Sequence, residues 1–128
     1  MKKRKILIIE DYKDFQEALK VQLENDGFDV ITADDGYEGY EAAKQQRPDL
    51  IITDVVIPAV DGFHVSRLLK SDMYLKNTPI IMMSGLKKDK ADTERAINTC
   101  AADAYLFKPF KHQELSKIIE QLMPKKRS

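Results

Sequence analysis

Four short apolar runs, each ending on a polar side chain, constrain the fold of this chain more than any other feature of its sequence. Ile6-Leu7-Ile8-Ile9 leads into Glu10-Asp11, Leu50-Ile51-Ile52-Thr53 into Asp54, Ile80-Ile81-Met82-Met83 into Ser84, and Tyr105-Leu106-Phe107 into Lys108-Pro109. Continuous runs of this length suit strands covered on both faces, as in a parallel sheet flanked by helices. Such strands point the same way, so the residues that follow them gather at one edge, where open α/β sheets bind ligands. Three carboxylates, a hydroxyl and an ammonium are thus directed to a common edge. A carboxylate cluster attracts a hard divalent cation such as magnesium. A lysine and a hydroxyl can hold the oxygens of a transferred phosphoryl group.

The segments between these runs carry helical periodicity. Phe15, Ala18, Leu19 and Leu23 form one stripe, and Asn25-Asp26-Gly27 is a stop signal. A second strand is expected over Phe28 to Thr32, then a turn at Asp34-Asp35-Gly36 and a helix to about Gln46, ended by Pro48. Asp61-Gly62 opens a helix bearing Phe63, Val65, Leu68 and Leu69, which ends before Asn77-Thr78-Pro79. Another helix is expected over Asp89 to Asn98, and Leu115, Ile118, Ile119 and Leu122 mark the last one, before Pro124. Five strand-then-helix repeats imply a mainly parallel sheet covered on both faces, with right-handed crossovers.

At 128 residues the chain is long enough for one domain that buries about two-thirds of its unfolded surface. Residues 1–123 are expected to form it, with 124–128 a basic, unstructured tail. Basic and acidic residues balance at 21 each, which argues against a general nucleic-acid or membrane-surface binder. The apolar run after Lys2-Lys3-Arg4-Lys5 is too short for a signal peptide or a membrane span, so a cytoplasmic location is expected. Cys100 is alone and reads as a small hydrophobe.

Taken singly, the polar residues have ordinary structural explanations. An Asp after a strand caps a helix or makes a turn, and Glu10-Asp11 can do the same. Ser84-Gly85 can be a plain turn, Tyr105 strand packing, and His64 and His112 solvated helix residues. Convergence of the groups at one edge favours the phosphoryl-transfer reading.

Their order and spacing over nearly the whole chain resemble the CheY-like receiver domain of two-component response regulators. The residues carrying the resemblance are Glu10-Asp11, Asp34-Asp35-Gly36, Pro48-Asp49-Leu50, Asp54 with Pro58 and Asp61-Gly62, Ser84-Gly85, and Asp103 through Phe110. The resemblance implies a flavodoxin-like doubly wound (βα)5 fold with five parallel strands in order 2-1-3-4-5. It implies a signalling switch that promotes only its own phosphorylation and dephosphorylation. Asp54 would accept a phosphoryl group from a histidine kinase or histidine phosphotransfer protein. Glu10, Asp11, Asp54 and the backbone carbonyl of Val56 would hold Mg2+. Lys108 and Ser84 would hold phosphoryl oxygens, Ser84 and Tyr105 would act as switch residues, and a cis peptide would join Lys108 to Pro109. The switched surface would comprise the helix over 89–98, the fifth strand and the last helix. It would serve a downstream protein or output domain, by a monomer or a phosphorylation-dependent dimer.

Some positions depart from the family pattern. Glu10 replaces the commoner aspartate, and Ala101 stands where glycine is usual. Lys111 replaces a capping residue while Glu114 keeps half of a capping box. Ala104 replaces an acidic residue used in salt-bridged dimers. Val56 and Leu86, at positions that border the path of hydrolytic water, are apolar, which implies a long-lived aspartyl phosphate. Three other readings compete. A pseudo-receiver usually lacks an acidic residue, the acceptor or the lysine, and all are present. A haloacid-dehalogenase-like hydrolase wants an acid where Val56 stands. A dinucleotide or flavin binder wants a glycine-rich phosphate loop that the chain lacks.

Overall fold

In the computed structural model, residues 3–55, 62–84 and 102–123 are described. The expected helix over 89–98, Val56, Pro58, Asp61, Gly85, Leu86, Cys100, Ala101 and the 124–128 tail lie outside these residues. Among them, β1 (Lys5–Ile9), α1 (Lys13–Asn25), β2 (Asp29–Ala33), α2 (Gly36–Gln46), β3 (Leu50–Asp54), α3 (Gly62–Ser71), β4 (Ile80–Ser84), β5 (Ala104–Phe107) and α4 (His112–Leu122) follow in order. The five strands form one parallel sheet in the order β2-β1-β3-β4-β5. This is the doubly wound fold expected. The second strand lies one residue later than the apolar pattern indicated, because Phe28 packs beside the core rather than entering the ladder with β1.

Side chains alternate across the sheet and build two cores. Ile6, Ile8, Leu50, Ile52, Ile81, Met83 and Leu106 pack against Leu19 and Leu23 of α1 and Leu115 and Ile119 of α4. Leu7, Ile9, Ile51 and Ile80 face Ala43 of α2 and Val65 and Leu69 of α3. With both faces covered, β1, β3 and β4 are almost wholly inaccessible, which explains their unbroken apolar runs.

Polar residues set the ends of these elements. Asp49 accepts from the Lys5 backbone N–H at 2.7 Å, and Asp103 accepts from the Ile80 N–H at 2.8 Å and pairs with Lys70 at 2.9 Å. Asp35 caps α2 by accepting from the Glu38 N–H at 2.8 Å, while the Glu38 carboxylate accepts from the Asp34 N–H at 2.9 Å. Gly27, at φ 98°, lets the chain leave α1 in a left-handed conformation. Arg47 takes a similar left-handed turn after α2, at φ 47°, with its guanidinium stacked over Tyr74 at 4.7 Å. α4 has the expected half box, with Glu114 accepting from the Lys111 N–H at 3.2 Å. His112 is not merely solvated, since its Nε2 lies 3.0 Å from Asp26 and links α4 to the end of α1.

Candidate functional site

Parallel packing of β1 and β3 brings Glu10 and Asp54 to the same sheet edge, Glu10 one residue beyond β1 and Asp54 last in β3. Lys108 follows β5, and its backbone N–H donates to the Ser84 carbonyl at 2.7 Å. The lysine side chain then reaches across β4 and β3. Its Nζ donates to Glu10 Oε1 at 2.7 Å and to Asp54 Oδ2 at 2.6 Å. The Lys108–Pro109 peptide is cis.

The three charges sit largely out of water. Glu10 is 1% exposed and Asp54 8%. Burial, together with the neighbouring Asp54 carboxylate, raises the Glu10 pKa to about 7, against the opposing pull of Lys108. Burial alone would depress the Lys108 pKa, but its hydrogen bonds to Asp54 and Glu10 outweigh it and the lysine is held firmly protonated. Glu10 Oε2 is buried and, among the described residues, makes no hydrogen bond. Ionisation of Glu10 is therefore costly here, and an additional cation or a proton at that oxygen would relieve it.

The expected site residues among those described differ in placement. Glu10, Asp54 and Lys108 come together. Ser84, 4% exposed, ends β4 beside them and is tied to Lys108 through its carbonyl. Asp11 is exposed, and among the described residues no three His, Cys, Asp or Glu side chains are arranged to hold a metal ion. Glu10 and Asp54 are instead joined through the lysine ammonium. Neither acid of the Glu10-Asp11 pair caps α1, whose N-cap residue is Tyr12 without a side-chain bond. Tyr105 is half-buried on β5, its ring 5.2 Å from that of Phe107.

Two neighbours of the site are absent from the motif reading. Gln16, 5% exposed, donates through Nε2 to the Glu10 carbonyl at 2.7 Å and to Asp34 Oδ1 at 3.0 Å, joining the ends of β1 and β2. Its spacing of three and seven from Leu19 and Leu23 places a polar residue on the buried stripe of α1, a signal available in the sequence. Phe15 is the other; the Lys108 Nζ lies 4.2 Å from its ring centroid.

Residues 6–120 match the model of the response regulator receiver domain, and the chain belongs to that family. It is 32% identical over 120 residues to Protein PilG of Pseudomonas aeruginosa, covering 94% of this chain and 87% of that protein. It is 33% identical over 120 residues to the alkaline phosphatase synthesis transcriptional regulatory protein PhoP of Bacillus subtilis, covering 94% of this chain. The chain spans only 48% of the length of PhoP. The receiver domain of a Pseudomonas aeruginosa sensor histidine kinase, solved with magnesium coordinated in its active site cleft, superposes with a TM-score of 0.87 at 27% identity. That match covers 97% of this chain and 100% of the other. Receiver domains are signalling switches rather than classical enzymes, and phosphorylation and magnesium are general features of the family.

Proposed function

We propose that Asp54 is the phosphoacceptor of this domain and that a histidine kinase or histidine phosphotransfer protein is its donor. One Asp54 oxygen forms a bond to phosphorus as the phosphorus–nitrogen bond of the phosphohistidine breaks. The electron pair stays on the imidazole nitrogen, which takes up a proton from solvent, and the product is an aspartyl phosphate. Such transfer asks little covalent chemistry of a protein and depends on positioning and charge neutralisation. The observation that carries the proposal is the close Glu10–Lys108–Asp54 constellation, with Nζ 2.7 and 2.6 Å from the two carboxylates.

Lys108 passes one of its carboxylate contacts to a phosphoryl oxygen, and Ser84 donates its hydroxyl to another. The buried Glu10 and Asp54 carboxylates, with an orphaned Glu10 oxygen, suit a hard cation with oxygen ligands. Asp11 turning inward and the carbonyl of Val56, which lies outside the described residues, complete the proposed Mg2+ set. When bound, magnesium supplies positive charge for the phosphoryl oxygens. Ser84 moving inward, with Tyr105 turning in behind it, alters the surface proposed for β5, α4 and the segment over 89–98, which lies outside the described residues. That surface is the proposed output face toward a downstream protein.

Intact mass after incubation with Mg2+ and acetyl phosphate tests the assignment. One added phosphoryl group in the wild type, absent from Asp54→Asn, is the expected result. No addition in folded, magnesium-binding protein would instead favour a pseudo-receiver, a module whose partners ignore phosphorylation.

A further inference from the structure

Phe15 is half-buried in the first turn of α1, beside the lysine but on a different element. The Lys108 ammonium lies 4.2 Å from its ring centroid, within the range of a cation–π contact. The same ring meets Phe110 edge to face, with centroids 5.9 Å apart and planes at 87°. One aromatic side chain of α1 therefore touches both the charged end of Lys108 and the segment that carries it. Lysine has three donors on a flexible stem. Two carboxylates engage the ammonium here, and the Asp54 contact is not a fixed one if that carboxylate is to accept a phosphoryl group. An aromatic face attracts the ammonium without competing as a hydrogen-bond acceptor, and it shields that side from water.

We propose that Phe15 is a positioning residue for phosphoryl transfer, holding the Lys108 ammonium in place while its contact passes from the Asp54 carboxylate to a phosphoryl oxygen. This rests on the phosphoacceptor reading given above. The contribution comes from the electrons of the ring as well as its bulk, so replacements divide by chemistry rather than by size. Phe15→Leu keeps apolar packing against the α1–α4 core and removes the ring, whereas Phe15→Tyr keeps a ring of the same face.

The test measures the rate of Asp54 phosphorylation by acetyl phosphate at saturating Mg2+, in protein shown to be folded by its thermal transition. Phe15→Leu is expected to lose roughly tenfold, the rate equivalent of a partly desolvated cation–π contact, and Phe15→Tyr to retain the wild-type rate. Stepwise fluorination of Phe15 drains charge from the ring with little change in shape, and the logarithm of the rate is expected to fall with each fluorine. A packing role alone predicts no such trend. Reductive methylation of Lys108, followed by peptide mass, reads the same contact without any phosphoryl transfer and is expected to speed up in Phe15→Leu but not in Phe15→Tyr. Fluorinated protein that phosphorylates normally, together with unchanged Lys108 labelling in Phe15→Leu, would overturn the proposal. A wild type that takes up no phosphate would refute the phosphoacceptor reading, and with it a positioning role in that transfer, whatever the labelling shows about the contact.

Discussion

Glu10 enters the fold as an ordinary carboxylate and ends 1% exposed, with one oxygen on Lys108 and the other without a hydrogen-bond partner among the described residues. With its pKa raised to about 7, the native state binds more protons than the unfolded chain between the ordinary carboxylate range and pH 7. Its contribution to stability therefore falls as pH rises through that window and is most favourable below it. Metal-free wild-type protein should gain on the order of 1 kcal/mol from this group between about pH 7.5 and pH 5.5, and Glu10→Gln should flatten that part of the profile. Urea unfolding across the range checks it; a wild-type profile identical to that of the variant would show that Glu10 does not titrate there. Lys108 has the complementary role. Lys108→Met leaves two buried carboxylates without their cation and should cost about 2–3 kcal/mol in metal-free buffer, measured by the same unfolding experiment.

At the scale of elements, the site depends on how closely α3 approaches β3. The Gly62 N–H donates to the Val55 carbonyl at 2.9 Å, and a Cβ added at Gly62 would collide with the Asp54 carbonyl oxygen and sit 3.0 Å from Met82 Sδ. The obstructing atom is backbone, so the helix start or the end of the strand must shift. Gly62→Ala should cost about 1–3 kcal/mol and also slow Asp54 phosphorylation, since the strand end carries the acceptor. Thermal unfolding and the phosphorylation rate measured together separate the two effects. Gln16 works from α1. Its amide joins the carbonyl of Glu10 to Asp34, a bridge that the three-and-four spacing of α1 makes possible and that no apolar residue could supply.

For the molecule as a whole, a cation bound only by the folded protein stabilises it by mass action. Magnesium should raise the melting temperature of the wild type and do so less in Glu10→Gln and Asp54→Asn. An equal shift in all three proteins would place the ion elsewhere. The family resemblance implies that Val56 and Leu86, both outside the described residues, border the path of hydrolytic water, and an apolar side chain cannot orient that water. Phosphorylated protein freed of donor should lose its phosphoryl group slowly, and introducing a polar side chain by Leu86→Asn should speed that loss, as followed by intact mass.

Much of this was legible in the chain, for reasons that are local. Unbroken runs such as Ile6 to Ile9 and Ile80 to Met83 declare strands buried on both faces, because water on either face would call for alternation. Asp35, Gly27 and Pro48 mark helix ends through capping chemistry and backbone dihedrals that involve only their neighbours in sequence. Strand direction then directs Glu10, Asp54, Ser84 and Lys108 to one edge before any distance is known. What tertiary structure alone decided are the contacts between groups far apart in the chain. Lys108 settles on Glu10, 98 residues away, and on Asp54, 54 away. Asp11, adjacent to Glu10 in sequence, stays exposed outside that cluster. The left-handed turn at Arg47 beside Tyr74, the His112–Asp26 pair, and Phe15 beneath the lysine belong to the same class. Periodicity records which face of an element meets water, since solvent acts on every residue alike. Which side chain meets which across the core depends on the register and packing of whole elements, and those exist only once the sheet has closed around them.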